Sequence, residues 1–226
     1  MLVNTDINLT KILSALFSVG CLCSPMVYAE KIDCSSSNSN SNSNSNSNSM
    51  TLKKICGKHF NETREKLNTD YKTALLISDA PIRLLEDTHS LWFKRLQQCK
   101  SINCYEQQFE LRRDDLKFYT SLNQSLTNHY LRFEQGQIAH APVHLQVHQL
   151  TKDKIKIEGI AYRNPNNKAN SQSVAFLAYT ATNQKHQIKD NEHDCQYQFN
   201  FNKAILSVKT QQKGCERFVG VYRIYD

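Results

Sequence analysis

Glycine and proline are scarce in this chain, with six and four residues among 226. A phosphate-cradling loop needs several closely spaced positions free of a Cβ, and no stretch here supplies them. Zinc-type spacing is nearly missing too. Such sites want thiolates in C-x₂₋₄-C pairs, and only Cys99-x₄-Cys104 comes near. Beyond residue 29 there is no apolar run of the roughly 20 residues that a spanning helix requires. Lysines and arginines are scattered among glutamates, with no basic stripe interleaved with aromatics, which argues against nucleic acid as a partner. Acid/base and nucleophile constellations are also lacking. His193-Asp194-Cys195 resembles a base beside a nucleophile only on paper, because a strand turns neighbouring side chains to opposite faces.

What is present points to export. Lys11 precedes the apolar run Ile12–Cys23, and Val27-Tyr28-Ala29 offers small residues for cleavage, so residues 1–29 read as a signal peptide. A rival reading attaches lipid at Cys21 after Ser18-Val19-Gly20, and only then would the protein be held at a membrane. Six cysteines remain in the exported chain: Cys34, Cys56, Cys99, Cys104, Cys195 and Cys215. They allow fifteen connectivities, of which sequential pairing is the most economical, and an exported chain favours disulfides over metal. The expected location is the periplasm or the extracellular space. A formal charge of +7 favours acidic partners such as anionic envelope glycans, in a salt-dependent way.

Hydrophobic periodicity divides the rest. Residues 35–49 are a Ser/Asn low-complexity insertion with nothing apolar to bury, expected to be disordered. From Thr51 the pattern is helical. Phe60, Thr63, Leu67, Tyr71 and Ala74 mark one face, and Ser78-Asp79-Ala80-Pro81 interrupts before a third helix. That helix carries Ile82, Leu85, His89, Trp92, Leu96 and Cys99 on one side. A fourth carries Tyr105, Phe109, Arg112, Leu116 and Tyr119, and the spacing extends its stripe through Leu122, Leu126, Tyr130 and Phe133 to a stop at Gly136. Four residues between Cys99 and Cys104 suffice only for a tight turn, so these helices should fold back antiparallel. After Gly136 the period becomes two, in Val143–His148, Ile155–Glu158, Val174–Tyr179, Cys195–Phe201, Leu206–Lys209 and Phe218–Tyr222. The expected fold class is therefore α+β. A disulfide-locked helical bundle over residues 30–136 precedes an antiparallel β domain over 137–226, a small barrel or sandwich.

The Ile32-Asp33-Cys34 start, Ile55-Cys56, Leu67, Tyr71, Trp92, Arg95, Cys99, Cys104, Phe109 and Arg112 together resemble the LprI-type family of small exported, lysozyme-inhibitor-like bacterial proteins. The C-terminal part, with Asp194-Cys195, Gly214-Cys215, Phe218, Gly220 and Tyr222-Arg223, is similar to extensions on some members. The Ser/Asn insertion splits the first cysteine loop, and Arg95 follows Trp92 by three residues rather than four; both depart from the family pattern. The resemblance implies a non-enzymatic protein that binds and inhibits lysozyme, with Trp92, Arg95, Phe109 and Arg112 as structural motif residues. Such an inhibitor must offer donors to the carboxylates of a glycan-cutting cleft. Arg163, Asn164, Asn166 and Lys168 supply suitable donors in one turn, although turn composition alone accounts for them. The alternative is a periplasmic ligand-binding or structural module whose activity sits in the β domain.

Two further patterns carry expectations. His140, His144 and His148 recur every four residues, but on a strand such positions lie about 13 Å apart, too far to share one metal ion, so a row of surface histidines is expected. Arg112 sits in an apolar stripe and should be partly buried in an ion pair with Asp87, Asp70 or Glu86. No cofactor is called for.

Overall fold

The computed structural model describes Ile32, Cys34, residues 46–166 and residues 175–225. The expected signal peptide, Cys21, most of the Ser/Asn insertion and Lys168 lie outside these residues. Four helices come first: α1 (Asn46–Ile55), α2 (Asn61–Ile77), α3 (Ile82–Leu96) and α4 (Ile102–Ser121). Nine strands follow: β1 (Thr127–Glu134), β2 (Gln137–Ile138), β3 (Val143–Thr151), β4 (Lys154–Ala161), β5 (Ala175–Ala181), β6 (Gln187–Lys189), β7 (Gln196–Asn202), β8 (Ile205–Lys209) and β9 (Gly220–Tyr225). The fold class is mixed α+β.

Local chemistry sets the helix boundaries. Pro81 precedes α3, and its carbonyl accepts from the Leu84 and Leu85 amides at 2.9 and 3.2 Å. Ser101 caps α4, its hydroxyl accepting from the Cys104 amide at 3.2 Å. At the N-terminal side, α1 begins at Asn46, inside the stretch expected to be unstructured through Ser49. A helical turn needs residues four back to accept its hydrogen bonds, so the segment that buries Thr51 and Ile55 recruits the end of the polar run.

The fourth helix does not reach Gly136. It ends at Ser121, and the chain turns into β1. Leu126, Tyr130 and Phe133 keep helical spacing only by coincidence. In β1, Tyr130 faces the interior of the sheet while Leu131 and Phe133 pack with the helices, so both faces are covered and the alternation is hidden. Gly136 is instead a turn residue. With Gln135 at φ 51° and Gly136 at φ 78°, it closes the β1–β2 hairpin.

The main sheet runs β5-β4-β3-β1-β9-β8-β7-β6, with antiparallel pairing throughout. It curls until its edges nearly meet. The amide of Asn191 donates to Leu177 O at 2.8 Å, and Asp190 Oδ1 accepts from the Leu177 amide at 3.2 Å. The result is a nearly closed barrel packed with Tyr130, Leu145, Ile157, Phe176, Phe199, Leu206 and Tyr222. Its outer surface along β1, β4 and β9 meets the helices through Leu131, Ile160, Tyr162 and Tyr225, in one core with Leu67, Trp92, Phe109 and Leu116. Gly220 (φ 153°) makes room at the β1–β9 pairing, since a Cβ there would come within 2.5 Å of Arg132 Cδ.

The cysteines pair sequentially: Cys34–Cys56, Cys99–Cys104 and Cys195–Cys215, with Cα separations of 5.5, 5.5 and 5.7 Å. Three disulfides indicate an oxidising compartment. Among the described residues no helix is long and apolar enough to cross a membrane.

Candidate functional site

The outer face of β6, β7 and β8 is built from one half of a strict alternation. In β7, Tyr197 and Phe199 point into the barrel while Gln196, Gln198, Asn200 and Asn202 are exposed. Strand register aligns these amides with those of the neighbours. Gln187 of β6 lies beside Gln198, which lies beside Lys209 of β8; Lys189 lies beside Gln196, and Asn200 beside Ser207. Two adjoining grooves follow, of about 390 and 310 Å3, which share Gln187 and Gln198 and have no carboxylate among the described residues of their lining.

The groove wall is fixed. Thr210 Oγ1 donates to Gln196 O at 2.6 Å, Gln212 Oε1 accepts from the Gln196 amide at 3.0 Å, and the Gln212 amide donates to Thr210 Oγ1 at 3.1 Å. The Cys195–Cys215 bridge fastens the same end. Each side-chain amide offers both donors and an acceptor, which suits hydroxyl and acetamido groups, and a lysine adds a point charge for a carboxylate or phosphate. Sequence reasoning found the alternation of β7 but not this surface. The available signal was that every outward position from 196 to 202 is an amide.

A second polar assembly is sealed between α3, α4 and the sheet. Arg112 is 2% exposed, far more buried than expected. Its partner is Asp115, one helical turn on, with additional bonds to Thr88 Oγ1 and Leu85 O, each at 3.1 Å. None of the acids expected beside it fills that role. Asp70 takes Arg113 Nε at 2.7 Å, and Asp87 accepts from the Tyr225 hydroxyl. The i,i+3 spacing keeps Asp115 on the buried side of α4 with Arg112, whereas Asp70 meets α4 at its partly exposed flank.

His144 and His148 are buried rather than aligned at the surface, because α4 and the turn after it cover this face of β3. Only His140 is exposed. His148 Nδ1 bonds Thr127 Oγ1 at 2.7 Å, and His144 Nε2 bonds His129 Nδ1 at 3.1 Å. Burial holds the His129 and His89 imidazoles down to about 3 and pushes His144 further below its ordinary range. The same burial raises the Tyr119 phenol, whose ring lies against both His129 and His144.

The turn expected to supply inhibitory donors is partly engaged within the molecule. Asn166 Nδ2 donates to Gln98 O at 2.6 Å, and its Oδ1 accepts from the Lys100 amide at 3.1 Å, docking it on the corner between α3 and α4. Asn164 Oδ1 accepts from Asn166, and Arg163 is partly buried, its guanidinium lowered by burial and by the charge of Arg132. Trp92 Nε1 donates to Gln108 O at 2.7 Å, and its ring meets Phe109 edge-on at 5.5 Å; Arg95 is 5% exposed beside Tyr162. His193 Nδ1 lies 2.8 Å from Asp190 Oδ2, and Cys195 is in its disulfide. Among the described residues no group of three or more His, Cys, Asp or Glu side chains is placed to hold a metal ion. Comparison with protein-family models, with curated proteins and with solved structures finds no match to this chain.

Proposed function

We propose that this is an exported, non-enzymatic binding protein that holds an anionic envelope glycan on the outer face of β6, β7 and β8. The observation that carries this reading is the row Gln187–Gln198–Lys209 across three strands, in grooves whose described lining residues include no carboxylate. Amides match the hydroxyl and acetamido groups of a sugar chain, and lysines match its acidic substituents. The formal charge of +7 adds long-range attraction. Export by the signal peptide and a periplasmic or secreted location belong to the same proposal, and the three disulfides support it.

Lysozyme inhibition is the second reading. It rests on the LprI-type resemblance, in which the helical part is a disulfide-locked bundle. Trp92, Phe109 and the Cys99–Cys104 corner packed in one core favour it. Against it, Asn166 of the candidate loop is engaged with Gln98 and Lys100.

The test is sedimentation and calorimetry of the oxidised protein with purified anionic cell-wall glycan, alongside the same glycan stripped of its acidic groups. Saturable binding that weakens with salt and drops in a Gln198→Glu/Lys209→Glu variant of unchanged thermal stability is expected. Undiminished binding by that variant sinks the assignment of the face. In parallel, lysis of cell walls by animal and bacterial lysozymes decides the second reading: unchanged lysis at micromolar protein removes it.

A further inference from the structure

A separate cavity of about 260 Å3 lies between α4 and the outer surface of β3, β4 and β5. That is just under the range of about 300–1,000 Å3 usual for drug-sized ligands, so its occupant is small. Leu111, Phe118, Ile160 and Leu177 give it an apolar wall. Four carboxylates also line it, those of Asp114, Asp115, Glu158 and Glu192, and no lysine or arginine among the described residues does. Three of the four already have cations: Asp114 is met by Lys117 Nζ at 2.8 Å, Asp115 by Arg112, and Glu158 by Lys156 Nζ at 2.8 Å, the last nitrogen also lying 5.5 Å from the centre of the Phe118 ring. Glu192 is matched by no cation among the described residues; only its backbone amide is engaged, donating to Asp190 Oδ1 at 3.0 Å.

An acidic rim alone would be a solvated surface, but Gln146 adds an independent feature. It is 5% exposed, lines the cavity, and its buried Oε1 has no hydrogen-bond donor among the described residues. A buried acceptor without a donor is rare in folded proteins because water has been stripped from it without replacement. The missing partner is a donor. Metal ions fit poorly, since no three ligating side chains among the described residues converge here. An organic ammonium satisfies both features, donating to Gln146 Oε1 and balancing the unmatched carboxylate, while an apolar body rests on the apolar wall.

We infer that the cavity between α4 and the β3–β5 surface binds a small primary amine, with Gln146 Oε1 and the Glu192 carboxylate receiving the ammonium and Phe118, Ile160 and Leu177 receiving its hydrocarbon part. The site is distinct from the glycan-facing grooves, which lie on β6–β8.

The experiment titrates the oxidised, full protein with n-hexylamine, 1-hexanol and hexanoate at neutral pH, read by calorimetry and by amide chemical shifts. Saturable hexylammonium binding is expected, with hexanol about tenfold weaker and hexanoate not bound, because only the ammonium makes charge-assisted bonds. Shifts should concentrate at Phe118, Gln146 and Glu192. Glu192→Gln, an exposed and structurally undemanding change, should weaken hexylamine several-fold while leaving hexanol unaffected. Gln146→Leu should do the same if thermal unfolding shows that it folds, and Glu192→Gln decides alone if it does not. Equal affinity for hexanol and hexylamine overturns the inference, as does unchanged hexylamine affinity in Glu192→Gln or shifts confined to another surface.

Discussion

Nε2 of His144 lies 3.1 Å from Nδ1 of His129, and the two rings stack with centroids 5.3 Å apart. The direction of the bond follows from the neighbours. Gln124 Nε2 donates to Tyr119 O at 3.2 Å, which leaves Oε1 to accept from His129 Nε2–H at 2.7 Å. His129 Nδ1 is then an acceptor and His144 Nε2–H the donor. Both rings are neutral in this chain, and a proton added at His129 Nδ1 would face a second N–H donor.

Stability should therefore fall in mild acid. Burial depresses His129 and His89 to about 3 in the folded protein and lowers His144 as well, while an unfolded imidazole titrates near 6.5. Below about 6.5 the unfolded chain binds protons that the folded one refuses. The stabilisation is complete above that pH and is lost as pH falls toward about 3, at about 1.4 kcal/mol per pH unit for each such histidine. Chemical denaturation at pH 7, 5.5 and 4 measures the slope. A His129→Gln variant should show a shallower decline, and an unchanged slope would contradict this account.

Arg112 and Asp115 form a buried ion pair in which each charge depends on the other. Arg112→Met leaves the Asp115 carboxyl without its cation and should cost about 3–5 kcal/mol in denaturant unfolding. The double change Arg112→Met/Asp115→Leu should recover much of that loss. A single variant as stable as the parent would show that the pair is dispensable.

Asp190 is fully buried and joins the two edges of the barrel. Its Oδ1 accepts from the Leu177 and Glu192 amides at 3.2 and 3.0 Å, and its Oδ2 meets His193 Nδ1 at 2.8 Å. Asp190→Ala strands these donors and should destabilise by about 2–4 kcal/mol, since bonds to a charged acceptor are worth about 1.5–3 kcal/mol each and their loss is not additive. Hydrogen exchange should rise first at Leu177 and Asn191. Uniform exchange across the barrel would refute a local clasp.

The Cys99–Cys104 bridge closes a loop of only five residues. On the loop-entropy model it contributes about 2 kcal/mol, less than either longer bridge. Cys99→Ala/Cys104→Ala should therefore fold and lose about that amount in thermal unfolding. The Ser101 cap and the Asn166 bonds hold the same corner. Loss of all cooperative unfolding would show that the bridge organises the helices.

The helical faces around Trp92 and Phe109 were legible because each helix buries one side only, which leaves a period of 3.6 in the chain. Strands β3, β4, β7 and β8 were legible for the corresponding reason at period two. The same logic failed at Thr127–Glu134, where helices cover one face and the barrel interior fills the other. His144 and His148 were placed on a strand correctly but assigned to solvent, since nothing within 143–151 records that α4 lies above it.

By itself, then, the sequence determined the α+β class and the positions of most elements, because periodicity is a local consequence of how side chains leave a helix or strand. Sequential pairing of the cysteines was only the most economical of its options, and the structure selected it. Tertiary structure alone decided that the strand after α4 joins the barrel and that Arg112 meets Asp115. It also decided which polar groups lost their water: the stacked histidines and the unpartnered Gln146. Desolvation depends on what other parts of the chain cover, and no local pattern carries that information.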